Sequence, residues 1–274
     1  MEHQQDVTWW DRFATCWDRS ANGGVLDVQD DLAEPEVITP FQQLVAEADK
    51  LGLIVYDKRQ FPRPKGSRGC AHGTRRLEKV TALWWHQMAV ALDDPDRATK
   101  IPCHGAVLAE GDIVLLHPIS AYMWHAGPAN RFTIGIEIAI REAGIRGNYA
   151  TFWRSEKERK IGVPANRLER QLSDTQRLAG RLLGEYYIAE HARQCTERAP
   201  LAPGLIAQGF HRNSSKSRTS DPGSVVALGI VRPLCRTHGH EYGGPALRQG
   251  EPTPEAWGGR AGVPYSKVVS GTSR

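Results

Sequence analysis

Four widely separated polar residues, His86, His125, His211 and Asp221, have the types that metal-assisted hydrolysis needs. His86 closes the apolar stretch VTALWWH and His211 closes LIAQGFH, so two imidazoles stand where strand ends open onto loops. Asp221 follows His211 by ten positions, in an Asp-Pro turn. Two neutral imidazoles and one carboxylate make a donor set that suits zinc and leaves a fourth place for water. A single negative ligand keeps the ion net positive, able to acidify water and polarise a carbonyl. The H-x9-D interval is a weak signal alone, and a histidine at a strand end is commonly a structural residue satisfied by hydrogen bonds. Both readings stay open on spacing.

Glu137 adds to the chemical reading. In TIGIEIA, Ile134, Ile136 and Ile138 share one face of a strand, while Gly135, Glu137 and Ala139 share the other. A carboxylate flanked by small residues has room beside it for substrate or water and can act as general base. It can equally pair with an arginine or accept a histidine N–H. Two other clusters are set aside. CRTHGHE at 235–241 offers a thiol and two imidazoles but lies in a Gly/Pro-rich segment without a scaffold, and CAHG at 70–73 pairs Cys70 with His72 without a third partner for a nucleophile. No GxGxxG or GxxxxGK[ST] follows any strand, so nucleotide binding gets no support.

The elements that must position these groups are legible in outline. Val7, Trp9, Trp10, Phe13 and Trp17 suggest a short amphipathic helix near the N-terminus. Thr39, Pro40 and Gln42 form a capping box with proline at the first helical position, and Phe41, Leu44, Val45, Ala48 and Leu51 make the stripe of a packed helix ending at Gly52. A strand is expected at 53–56, a basic turn-rich excursion at 57–79, and a central strand at 80–86. Residues 101–108 and 113–117, joined by EGD, read as a hairpin. Residues 141–167 read as an insertion forming a rim or lid. SDTQ at 173–176 opens the strongest helix, with Leu178, Ala179, Leu182, Leu183 and Tyr186 facing inward and an end near Arg193. A strand at 205–211 follows. Together these predict an α/β fold around a single mixed sheet flanked by helices, with an N-terminal helical extension over 1–79, a body over 80–235 and a Gly/Pro-rich tail over 236–274.

Composition bounds the rest. The chain has 274 residues, 40% hydrophobic and 24% charged, which excludes a wholly disordered chain, and no run approaches the ~20 apolar residues of a spanning helix. Net charge is only +4, so charge alone implies no nucleic-acid partner, although residues 1–50 carry 11 acidic and 3 basic side chains and leave the remainder strongly basic. Neutralising Arg63, Lys65, Arg68, Arg75 and Arg76 would expose any binding of RNA or DNA by the basic loop; none is expected. Five cysteines without a CxxC pair fit reduced thiols. MEHQQDVTWW lacks the basic and apolar regions of a signal peptide, so the expectation is a chain cytoplasmic as synthesised.

Five ordered blocks resemble the zinc-dependent N-acetylmuramoyl-L-alanine amidase family, the type 2 amidase fold shared with peptidoglycan recognition proteins, and look closest to its AmpD-like branch. They are ALWWHQMA at 82–89, IPCHGAVLAEGDIVLLHP at 101–118, WHAGPANRFTIGIEIA at 124–139, LSDTQRLAGRLLGEYY at 172–187 and GFHRNSSKSRTSDPG at 209–223. The resemblance implies that His86, His211 and Asp221 are zinc ligands and Glu137 the catalytic carboxylate. It implies that Trp124 and His125 line the substrate groove, that Asn130 orders the loop before the strand, and that His104 is structural behind the site. Cys103 stands where some relatives have a catalytic tyrosine. Thr219 stands where many active members have lysine for oxyanion stabilisation, a task that Arg218 or Lys216 in the same loop can share.

The implied reaction is hydrolysis of the amide between N-acetylmuramic acid and L-alanine of peptidoglycan or muropeptides. The rival expectation is a non-catalytic peptidoglycan-binding protein of the same fold, for which Thr219 speaks. Such an enzyme either recycles soluble anhydro-muropeptides in the cytoplasm or reaches the cell wall through phage lysis or a secretion system; no delivery or immunity protein can be named from the residues.

Overall fold

A computed structural model describes residues 38–88, 90–140, 172–198, 204–218, 220–243 and 250–259. The N-terminal aromatic helix, the 141–167 lid and Thr219, all named above, lie outside the described residues. Helix α1 (Pro40–Lys50) starts as its capping box dictates: Thr39 Oγ1 accepts from the Gln42 backbone N–H at 3.2 Å and Gln42 Oε1 accepts from the Thr39 N–H at 2.8 Å. It buries Leu44 and Ala48, packs on the long helix introduced below, and exits through Gly52 at φ +69°.

Among the described residues, seven strands form one mixed sheet: β1 (Val55–Asp57), β2 (Ala82–Gln87), β3 (Gly105–Val107), β4 (Ile113–Leu115), β5 (Thr133–Ile138), β6 (Ala207–Phe210) and β7 (Glu241–Tyr242). Their spatial order is β1-β4-β3-β5-β2-β6-β7. The β3–β4 hairpin is the antiparallel pair, and the other neighbours run parallel. A short helix α2 (Pro95–Ala98) precedes the hairpin, and α3 (Asp174–Arg198) crosses the sheet. Ser173 Oγ accepts from the Gln176 N–H at 3.0 Å, which is the N-cap half of the SDTQ signal, while Gln176 Nε2 donates to the Leu108 and Ala139 carbonyls. After β6 the chain forms a helical segment with α4 (Ser224–Val226), a π-helical stretch at Ala227–Val231 and α5 (Arg232–His238).

Alternation along the central strands sorts two faces. Leu83, Trp85, Ile134, Ile136, Ile138 and Phe210 are buried with Ala179, Leu183 and Tyr187 of α3 and with Val226, Ile230 and Leu234. This is the main core, where each large apolar side chain contributes roughly 1.5–3 kcal/mol. Gly184 permits the close approach: a Cβ there would lie 2.6 Å from Leu234 Cδ1. The opposite face buries Ala82, Trp84 and Ala207 under Ala126 and Ala129, and leads to the end of β2 and β5 where polar residues begin. Thus Trp84 and Trp85 are both fully buried, on opposite faces.

Two expectations change. Leu178, read as inward-facing, is 41% exposed, and α3 continues to Arg198, past the end expected near Arg193. Part of the segment read as a tail is built into the body: β7 pairs with β6, and Trp257 is fully buried against Phe210. A few large side chains suffice to dock a segment whose average composition is Gly/Pro-rich.

Candidate metal centre

Parallel register brings the chemistry together. His86 on β2 is the register partner of Glu137 on β5, and Trp85 is the partner of Phe210, so His86 and His211 emerge side by side at the C-terminal ends of adjacent parallel strands. His211 opens the turn His211–Ser214, where the Asn213 side chain accepts from the Phe210 N–H at 2.9 Å. Asp221 returns to this point because its Oδ1 accepts from the Gln87 backbone N–H at 2.8 Å, directly after His86. One donor atom from each of His86, His211 and Asp221 lies within 4.8 Å of the others.

Hydrogen bonds fix the form of these donors. The Thr133 hydroxyl spends its proton on the Ala129 carbonyl at 2.7 Å, so it accepts from His125 Nε2 at 3.1 Å. A neutral His125 then offers a lone pair at Nδ1, which lies 2.9 Å from His86 Nε2. His86 therefore donates from Nε2 and keeps its Nδ1 lone pair, the form in which imidazole binds a cation. Burial first, then the neighbouring His211, His125, Arg218 and His104, holds the His86 pKa well below 6.5; burial chiefly does the same for His125.

His86 Nδ1 is 2.9 Å from His211 Nδ1, which is also 3.0 Å from Asp221 Oδ2. A proton on His211 can satisfy only one of these two acceptors; a shared cation satisfies all three donor atoms. The residues therefore fit a metal ion by chemistry as well as by proximity.

Glu137 stands beside this set. Its Oε2 is shielded from solvent and has no hydrogen-bond partner among the described residues. Burial, and secondarily the Asp221 charge, push its pKa well above the usual carboxylate range, while the Arg218 guanidinium pulls it down. Arg218 is exposed, and its guanidinium has neither hydrogen-bond nor ion-pair partner among the described residues. Cys103 is buried near Glu137, with its thiol pKa raised by burial and by that carboxylate, and donates to the Gly105 carbonyl at 3.2 Å.

The remaining residues singled out in the sequence surround the cluster. Asn130 Oδ1 accepts from the N–H groups of His125 and Ala126, at 3.0 and 2.6 Å, and so shapes the WHAG loop. Gly135 makes room for His125, since a Cβ there would lie 2.6 Å from its Nδ1. His104 accepts from the Gly135 N–H at 2.9 Å and holds β5 from behind. Trp124 lies at the rim, 61% exposed. Sequence reasoning missed Thr133 and the Gln87 backbone anchor: threonine at a strand start is an ordinary β-former, and a backbone donor has no side-chain signature.

A family model described as N-acetylmuramoyl-L-alanine amidase (Amidase_2) matches residues 72–224, more than half the chain. The chain belongs to this amidase family. The matched stretch contains His86, Glu137, His211 and Asp221, while α1, β1 and the buried Trp257 lie outside it. Among solved structures, the endolysin amidase LysCS from Clostridium intestinale is similar over 68% of this chain and 96% of its own, at 12% identity and TM-score 0.41. The Drosophila peptidoglycan recognition protein SD is similar over 67% and 94%, at 15% identity and TM-score 0.36. AmiD from E. coli, an amidase described in complex with anhydro-N-acetylmuramic acid-L-Ala-D-gamma-Glu-L-Lys, is similar over 66% of each chain, at 19% identity and TM-score 0.36. No curated protein sequence matches the chain. Among the described residues, no helix is long and apolar enough to cross a membrane.

Proposed function

We propose that the chain hydrolyses the amide between the lactyl group of N-acetylmuramic acid and L-alanine in peptidoglycan or muropeptides, using zinc held by His86, His211 and Asp221. The observation that carries this reading is the convergence of those three donors within 4.8 Å beside Glu137, the register partner of His86. Zinc, when bound, supplies a Lewis acid that acidifies water and polarises the scissile carbonyl.

Glu137 does the proton work. Its unpartnered Oε2 takes a proton as water oxygen adds to the carbonyl carbon, and returns it to the alanine nitrogen as the C–N bond breaks. A carboxyl with raised proton affinity holds that proton until the leaving nitrogen needs it. The Arg218 guanidinium, whose charge acts on both Glu137 and His86, balances the negative charge that develops on the carbonyl oxygen. The Thr219 hydroxyl belongs to the same stabilisation in this reading. Trp124 forms the substrate side of the rim, on the loop held by Asn130, whereas His125, expected to line the groove, is buried beneath it with both ring nitrogens engaged by His86 and Thr133.

The test is direct. Purified protein with zinc is incubated with intact sacculi and with a soluble anhydro-muropeptide, and products are assigned by mass. Release of peptides with a new L-alanine N-terminus, abolished by chelation and by Glu137→Ala, supports the proposal. Stoichiometric retention on sacculi without release of peptide sinks it in favour of a binding protein.

A further inference from the structure

Within 121–126, Trp124 is the exposed side chain in a loop whose neighbours Met123, His125 and Ala126 are buried. An indole left 61% open normally samples several rotamers, but this one is held. The His72 ring lies parallel to it, with centroids 3.8 Å apart and planes 7° apart. The backbones are tied as well. His72 N–H donates to the Tyr122 carbonyl at 2.9 Å, Tyr122 N–H to the Gly73 carbonyl at 2.8 Å, and Thr74 bridges Ala121. The strip around His72 is fixed in turn, since His117 Nε2 lies 2.8 Å from the Gly69 carbonyl. One ring face of Trp124 is thus occupied by His72, and Trp124 is followed at once by His125, the histidine in contact with His86.

We infer that His72 is a positioning residue that locks Trp124 as a stacking platform for the muramyl sugar ring. The identity of the sugar rests on the amidase reading; the platform rests on the geometry. A pyranose presents a flat face of C–H groups that an indole face attracts through its quadrupole, whereas the carboxylates and amides of a stem peptide call for charged or hydrogen-bonding partners. Holding the indole beforehand removes the ordering cost that a free rotor adds to binding. CAHG, rejected as a nucleophilic site, acquires in this way a role in substrate recognition.

Calorimetric titration of the full chain with N-acetylmuramyl-L-alanyl-D-isoglutamine and with the sugar-free dipeptide L-alanyl-D-isoglutamine tests this, with Glu137→Gln present throughout so that the muramyl ligand is not cleaved; wild type below denotes this background with His72 intact. His72→Ala is expected to weaken binding of the muramyl ligand about three- to tenfold, with zinc content unchanged, and His72→Phe, which keeps a planar ring, to restore most of it. The sugar-free dipeptide is expected to bind wild type and His72→Ala alike. Equal muramyl affinity in His72→Ala and wild type, or no rescue by phenylalanine, overturns the positioning role. An equal loss for the sugar-free dipeptide overturns the assignment to sugar. A wild type that fails to bind the muramyl ligand at all overturns the sugar assignment together with the amidase reading, whereas wild-type binding without a His72 effect leaves that reading standing.

Discussion

His86 Nε2 lies 2.9 Å from His125 Nδ1, and this contact decides which His86 nitrogen is free to hold a cation. The decision originates at Thr133, whose hydroxyl donates to Ala129 and therefore accepts from His125. Thr133→Val removes the acceptor and releases the His125 tautomer. The expected result is zinc affinity about 10- to 100-fold weaker, the usual range for partners behind metal ligands, with Thr133→Ser close to wild type. Chelator competition measures affinity, and nitrogen NMR of the histidine rings in metal-free protein reads the tautomer. If the valine variant keeps both wild-type affinity and a protonated His86 Nε2, the relay has no role.

Glu137 and Arg218 make a coupled pair of kinetic predictions. Glu137→Gln is expected to lose about 10²–10⁴-fold in kcat while retaining zinc, since it removes the proton acceptor and none of the three donors. The unprotonated carboxylate is the working base, so activity falls as pH drops through its pKa. Burial and Asp221 raise that pKa, placing the acid limb of the kcat/KM profile above the ordinary carboxylate value of 4.5. Arg218 lowers the same pKa, so Arg218→Ala should move the limb to higher pH as well as reduce kcat, with Arg218→Lys intermediate. An unmoved limb in Arg218→Ala shows that the guanidinium does not act on Glu137.

The C-terminal segment reaches the site through Trp257. Its ring meets Phe210 edge-on at 5.5 Å, Arg212 lies over it, and the Glu251 carbonyl accepts from Asn213 Nδ2 at 3.0 Å. These residues flank His211. Trp257→Ala is expected to cost about 3–5 kcal/mol and lower the melting temperature by roughly 10 °C, with weaker zinc binding as the His211 turn loosens. Trp257→Phe should lose much less. A normal melting curve for Trp257→Ala would mean that the segment does not brace the turn.

Much of this architecture is legible before folding, for stated reasons. The capping signals at Thr39 and Ser173 announce two helices because the side-chain chemistry is local. Glu137 stands out because period-two alternation puts an acid among small residues on one strand face. Parallel pairing is different. Nothing within VTALWWH or TIGIEIA states that His86 will pair with Glu137, since register arises from long-range packing of both apolar faces. The role of Thr133 is hidden for a related cause: it depends on the Ala129 carbonyl and on a ring eight residues upstream, at His125. Trp257 escapes notice because composition averages over a segment, while docking needs one side chain and one cavity.

His240 gives the segment a pH dependence. Trp85 donates its indole N–H to Gln208 Oε1 at 2.9 Å, and Gln208 Nε2 lies 3.3 Å from His240 Nδ1, which must accept and so remains unprotonated. Burial, then the His238 charge, lowers the His240 pKa from 6.5 to about 4. Between these values the unfolded chain binds a proton that the folded chain refuses. The contribution to stability is therefore complete above about pH 6.5 and fades as the pH falls toward 4. His240 is partly exposed, so screening reduces the effect to about 1–2 kcal/mol. Denaturant unfolding of wild type and His240→Asn should give stabilities that converge between pH 7 and 4.5, because only wild type loses this contribution. Parallel curves across that range would show that His240 takes up its proton equally in both states.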